Sequence, residues 1–166
     1  MIIYIIYNII DSEDHDNIYI KEATNYNQED ELNMYNESYE KANNEQKEIL
    51  DKLKKASDNA NEEKNIFFID APGGTGKTFV LNAFIAYERS KGQICIPVAT
   101  QGIAAILMKG GKTAHSTFGV PLNCDSESNS SIKKTTALGK MLQKAHSIVF
   151  DEAPMCSKDI INVIDR

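Results

Sequence analysis

The sequence predicts an α/β fold, a parallel sheet flanked by helices, and three observations carry that expectation. Short apolar runs at residues 66–69, 94–99 and 147–150 alternate with stretches of helical period. A glycine-rich turn at residues 71–78 joins the first run directly to a helix. The last run ends on two adjacent carboxylates, Asp151 and Glu152.

Taken in order, the chain opens on the apolar stretch MIIYIIYNII. It is shorter than the roughly 20 residues of a membrane-spanning helix, and it lacks the basic start of a secretory signal. It reads as a stray strand or the trailing edge of a missing element. Residues 11–43 are rich in Asn, Asp, Glu and Tyr with no sustained period, so a solvated, poorly structured leader is expected over 1–43. From Asn44, Ile49, Leu50, Leu53 and Ala56 share one helical face, and the polar run 57–61 ends that helix. Residues 66–69 read as a buried strand. Residues 78–89 form a helix stopped by Gly92. In the strand 94–99, Pro97 favours an edge or irregular position. A short helix over 102–108 is closed by Gly110 and Gly111, and 123–135 is a polar surface loop. Leu138, Met141, Leu142 and Ala145 mark another helix face, residues 147–150 a third strand, and a last helix starts near Lys158.

The 166 residues suffice for about one domain. Hydrophobic residues make up 42% and charged ones 25%, which places the chain among globular proteins. The net charge of −6 is uneven: residues 11–64 carry 16 acidic and 7 basic side chains, residues 65–166 carry 8 and 11. The second part therefore permits a phosphate-backbone ligand without demanding one. Cys95, Cys124 and Cys156 are odd in number, widely spaced and without a CxxC pair, which argues against a disulfide framework or zinc site and for a reducing compartment.

The strongest local signal is Ala71-Pro72-Gly73-Gly74-Thr75-Gly76-Lys77-Thr78. Between a strand and a helix, this spacing is that of a phosphate-binding loop, with Ala71 in the first glycine position. Glycines let backbone N–H groups turn inward around phosphates, and the helix N-terminus adds the positive end of its dipole. Lys77 is placed to reach the β- and γ-phosphates of ATP, and the Thr78 hydroxyl to ligate Mg²⁺. Gly73, Gly74, Thr75 and Gly76 form the cradle. About 75 residues on, Asp151 stands where a carboxylate holds Mg²⁺ and Glu152 where one polarises a water. Alone, an apolar strand ending in two acids is a solvated strand end; beside the loop it is the expected catalytic partner.

With these residues in place, the chain resembles the PIF-type and Helitron-type DNA helicases of superfamily 1B. Residues 70–79 resemble motif I. Residues 99–105, with Gly110-Gly111-Lys112-Thr113-Ala114-His115-Ser116-Thr117-Phe118, look like motif Ia and its extension. Asp151-Glu152-Ala153-Pro154-Met155 is similar to motif II, and Asn44-Glu45-Gln46-Lys47 to the Q motif. The resemblance covers residues 44–166. It implies a RecA-like first motor domain, ATP hydrolysis with Mg²⁺, and 5′-to-3′ movement on single-stranded DNA. The implied setting is repair, recombination, telomere maintenance or Helitron transposition, in the nucleus, with mitochondrion or cytoplasm as alternatives. Gln46 would read the adenine, and Thr100, Gln101, His115 and Ser116 would lie along the DNA path. Gln101 departs from the small Ser or Thr usual there. Each carry-over has a plainer alternative: Gln46 closing a capping box with Asn43, His115 as a loop or core histidine, Phe118 as core, Lys109 and Lys112 as solubilising charges.

Members of that family continue past motif II into a second motor domain with arginines that reach the γ-phosphate. The two arginines here, Arg89 and Arg166, fall in no such motif. Two functions are thus open, a piece of an ATP-driven DNA helicase or a non-catalytic nucleotide-binding or interaction module. A small P-loop kinase leaves residues 102–118 unexplained.

Overall fold

The computed structural model describes residues 2–5, 16–59 and 65–165. Its sheet has five strands, β1 (Ile2–Ile5), β2 (Asn65–Phe68), β3 (Cys95–Ala99), β4 (Lys112–Thr113) and β5 (Ser147–Asp151), in the order β2-β1-β5-β3-β4. β3 pairs parallel with β5 and with β4, the expected arrangement. The opening run enters the sheet as β1, antiparallel to both neighbours, with Ile2 opposite Phe68 on one side and Phe150 on the other. Because β1 opposes both, β2 and β5 run the same way and stand two strand spacings apart, roughly 9–10 Å. The glycine-rich loop after β2 and the acid pair at the end of β5 therefore leave the sheet at the same end of their strands. The rest of the opening run and the acids behind it, residues 6–15, lie outside the described residues.

Helices cover both faces. On one side lie α2 (Gln28–Lys41), α3 (Asn44–Asp58), α4 (Lys77–Ser90) and α5 (Gly102–Leu107), closing a core of Tyr35, Leu50, Leu53, Leu81, Phe84, Ala105 and Val149. On the other lie α1 (Ile18–Thr24), α6 (Ala114–Phe118), α7 (Ala137–Gln143) and α8 (Lys158–Asp165), around Ile20, Ile96, Val98, Phe118, Phe150 and Val163. The two sets alternate along β3 as the pleat requires: Cys95 and Ala99 face the first core, Ile96 and Val98 the second.

α3 starts as its sequence dictates. The Asn43 side chain accepts from the Gln46 backbone N–H at 2.9 Å, and the Gln46 side chain accepts from the Asn43 N–H at 3.1 Å. That reciprocal capping box satisfies two of the helix's orphan donors. Leu50, Leu53 and Ser57, spaced for one face, are buried.

Two expectations are corrected. Residues 16–43 are not an irregular leader but carry α1 and α2. Asn17 and Asn27 cap them, Asn27 accepting from the N–H groups of Glu29 and Asp30. α2 packs on α4, with the Tyr35 and Tyr87 rings 5.0 Å apart. The periodicity is faint because α2 buries a carboxylate, Glu31, four residues before Tyr35. The strand at 66–69, expected to be buried, is the edge strand β2, and Ile66 and Phe68 are 66% and 62% exposed. Pro97 stands where the sequence placed it: β4 pairs only with Val98 and Ala99, so Pro97 lies just past the end of that ladder.

Candidate nucleotide site and neighbouring strand ends

The loop between β2 and α4 takes its shape from glycines. Gly74 and Gly76 sit at φ 78° and 84°, backbone that L-residues rarely adopt. A Cβ on Gly73 or Gly74 would meet nothing within 4 Å, so the loop opens outward. Gly76 is different: a Cβ there would lie 2.6 Å from the Gln46 amide nitrogen. The Thr75 hydroxyl ties the loop back to the Pro72 carbonyl at 2.8 Å. Lys77, the first residue of α4, donates from Nζ to the Ala71 and Pro72 carbonyls at 2.5 and 2.9 Å. Its ammonium thus caps its own loop. The backbone N–H groups of Gly73, Gly74 and Thr75 donate to nothing among the described residues.

Gln46 takes the capping role weighed for it and makes one bond more. It closes the capping box, and its Nε2 also donates to the Thr75 carbonyl at 3.0 Å. The residue proposed to read a base is thereby anchored to the loop. A cleft of about 200 Å³ lies beside it, between Gln46, Ile49, Ile69, Thr75, Lys77 and Val80.

At the end of β5, Asp151 is 8% exposed and its Oδ1 accepts from the Glu152 N–H at 2.9 Å. Glu152 is the one described non-glycine residue with positive φ, at 53°. Such a conformation costs on the order of 1–3 kcal/mol and clusters at functional sites. Its Oε2 is buried without a partner among the described residues. The residues needed for Mg²⁺ are present in kind: the Thr78 hydroxyl and the Asp151 carboxylate, at the same end of the strands. No cluster of three or more His, Cys, Asp or Glu fit for a metal occurs among the described residues. A magnesium held between one hydroxyl, one carboxylate and phosphate oxygens does not need one.

The four residues assigned to the DNA path divide into two pairs. Thr100 and Gln101 follow β3 and turn toward motif II. Thr100 Oγ1 donates to the Glu152 carbonyl at 2.9 Å, and Gln101 Nε2 lies 3.6 Å from Met155 Sδ. His115 and Ser116 lie on α6; the His115 carbonyl accepts from the Gly119 and Val120 N–H groups, and Ser116 caps back onto Thr113. No hydrogen bond joins the pairs among the described residues. Phe118 is core, 7% exposed. Lys109 is half-exposed and paired, its Nζ lying 2.5 Å from the buried carboxylate of Glu31 on α2.

Sequence reasoning missed a buried polar cluster at the far end of α4. The Glu88 carboxyl, fully buried, accepts from Ser57 Oγ at 2.5 Å and Ser147 Oγ at 2.8 Å, and meets His146 Nδ1 at 2.7 Å. Gln93 Nε2 lies 3.1 Å from the other ring nitrogen. With that amide donating, His146 carries its proton on Nδ1, an assignment from the network. The signal was available: Leu81, Ile85 and Glu88 share one helix face, and a carboxyl on an apolar stripe needs partners.

A model of the PIF1-like helicase family matches residues 41–166. The chain belongs to the PIF1-like helicases. Among curated proteins, this PIF1-like chain is 33% identical over 94 residues to the ATP-dependent DNA helicase PIF4 of Trypanosoma brucei brucei, covering 53% of the chain and 11% of that protein. It is 29% identical over 105 residues to the ATP-dependent DNA helicase Pif1 of a Psychrobacter species, covering 62% of the chain and 16% of that protein. The matched regions are thus a small part of either relative. No helix among the described residues is long and apolar enough to cross a membrane.

Proposed function

We propose that residues 44–166 bind ATP with Mg²⁺ at the loop 71–78 and form part of an ATP-dependent DNA helicase acting on single-stranded DNA. The observation that carries this is the open loop with three unengaged backbone N–H groups, set beside Lys77 and at the same end of the strands as Asp151 and Glu152. Lys77 would exchange two loop carbonyls for phosphate oxygens. Thr78 and Asp151 would hold the magnesium, which supplies charge neutralisation on the phosphates when bound. Glu152 would accept a proton from the attacking water. Gln46, fixed to Thr75, would stand beside the adenine. Thr100 and Gln101, with His115 and Ser116, would lie along the DNA, and 5′-to-3′ movement in nuclear repair, recombination or telomere work, or in transposition, follows the family resemblance.

A second reading, a nucleotide-binding module without motor activity, is favoured by one observation. Arg89, 12 residues beyond Lys77 on α4, stands roughly 18 Å along the helix from it. It therefore does not approach the γ-phosphate from within this unit. The two readings separate on one preparation. Fluorescent-nucleotide titration of the 166-residue chain should show Mg-ATP binding that Lys77→Ala weakens at least tenfold; equal affinities would remove the site assignment. Steady-state hydrolysis should be slow, and stimulation by single-stranded DNA would favour the helicase reading over the module.

A further inference from the structure

A cavity of about 330 Å³ opens at the sheet edge, where α1, the first half of β3, α6 and α7 meet. It belongs to neither the nucleotide loop nor the acid pair. Its floor includes Arg89, whose side chain is among the most buried charges in the molecule at 3% exposure. One nitrogen of that guanidinium, Nη2, donates to the Lys109 carbonyl at 2.8 Å. Nε and Nη1 have no partner among the described residues. Thr117 Oγ1, also in the cavity wall, is buried and unpartnered among the same residues. An isolated buried cation is costly unless an anion or acceptors meet it. The Tyr26 ring covers its face, with its centroid 4.0 Å from the guanidinium carbon, but a ring face accepts no in-plane N–H bond.

We propose that this cavity binds a small organic carboxylate, its head on Arg89 and Thr117 and its apolar body against Ile96, Leu138 and Met141. Three features select that class. Guanidinium N–H groups lie in a plane and match a carboxylate, and the Thr117 hydroxyl adds a donor. Ile96, Leu138 and Met141 give the wall an apolar patch beside its polar residues. The charges lining the cavity are Arg89 and, at the exposed rim, Lys112 and Glu22; their sum is +1, which suits a monoanion better than a dianion. Tyr26 stands in the short link between α1 and α2. Gly110, at φ 73°, keeps the entrance clear: a Cβ there would lie 2.9 Å from Arg89 Nη2 and 3.5 Å from Tyr26 Oη.

The test uses benzoate, its neutral isostere benzamide and phenyl phosphate against the 166-residue chain, by calorimetry and by thermal shift. Benzoate should bind saturably and at least tenfold tighter than benzamide, with phenyl phosphate weaker than benzoate at pH 8. Thr117→Val should weaken benzoate severalfold. Leu138→Trp, which fills the cavity and leaves Arg89 in place, should abolish binding without lowering the unfolding temperature. Arg89→Lys should lose binding as well; should that variant fail to fold, the Thr117 and Leu138 variants decide. Equal affinity for benzoate and benzamide would make the site merely apolar and overturn the proposal. Tighter phenyl phosphate would overturn the monoanion assignment, and benzoate binding unaffected by Leu138→Trp would place it elsewhere.

Discussion

The two ends of α4 carry charge in opposite ways. At its N-terminus Lys77 is an ammonium on the first helical residue, the wrong sign for the dipole there. Around it, loop N–H groups are open and glycines leave space. At the C-terminal end Glu88 is sealed, and Ser57, His146 and Ser147 surround its carboxyl. One end leaves backbone donors open, whereas the other completes the core. Substitutions at the open end should therefore change ligand affinity and leave stability alone, and those at the sealed end should do the reverse.

The largest effect is expected at the sealed end. Glu88→Ala would leave three polar groups without their acceptor, at about 1–3 kcal/mol for each orphaned buried group. For a chain of this size that is a fall of roughly 6 °C or more in Tm by calorimetry. Nucleotide affinity of the folded fraction should stay within about twofold; a large loss of affinity with no change in Tm would break the comparison. Lys77→Ala is the mirror image. It should lose nucleotide binding at least tenfold while changing Tm little, because loss of its bonds to the Ala71 and Pro72 carbonyls offsets removal of a misplaced charge worth about 0.3–1 kcal/mol. Gly76→Ala sharpens the contrast, being an open-end change with a structural cost. It forces a side chain into left-handed backbone and against the Gln46 amide. A loss of about 1–2 kcal/mol together with weaker nucleotide binding is expected from urea unfolding and titration; unchanged values for both would remove the Gln46–Thr75 anchor from the site.

The smallest effect concerns Cys95, beside the sealed cluster. Burial foremost, and then the nearby Glu88 charge, push its thiol up to about 12. The sign is that of a group held neutral, so at pH 8 only on the order of one thiol in ten thousand is the reactive thiolate. Cys156 is also raised, by burial first, but is only half-buried. With Ellman's reagent at pH 8, Cys124 should react first, Cys156 more slowly, and Cys95 only after unfolding. Rapid reaction of all three in the native chain would show that this end of α4 is not sealed.

Removal of residues 16–43 bears on the packing of α4. It takes away Glu31, the partner of Lys109, and it uncovers the face of α4 that Tyr35 covers.

What the sequence by itself determined is local and contiguous. Residues 71–78 specify an open turn between strand and helix, because its glycines and Lys77 act through backbone that they themselves shape. Asn43 and Gln46 specify a helix start because their partners are three residues away, and the alternation of runs specifies the α/β class. Tertiary structure decided the rest, wherever the partners are far apart in the chain. Thr100 meets Glu152 across 52 residues, Lys109 meets Glu31 across 78, and Glu88 meets Ser147 across 59. β1 enters the sheet between strands 60 and more residues downstream, and so sets the spacing of loop and acid pair. The side chains at these positions are ordinary in type. Only packing places a hydroxyl, a carboxyl or an unmatched guanidinium opposite another group, because burial, which makes such contacts matter, depends on the whole fold rather than on neighbouring residues.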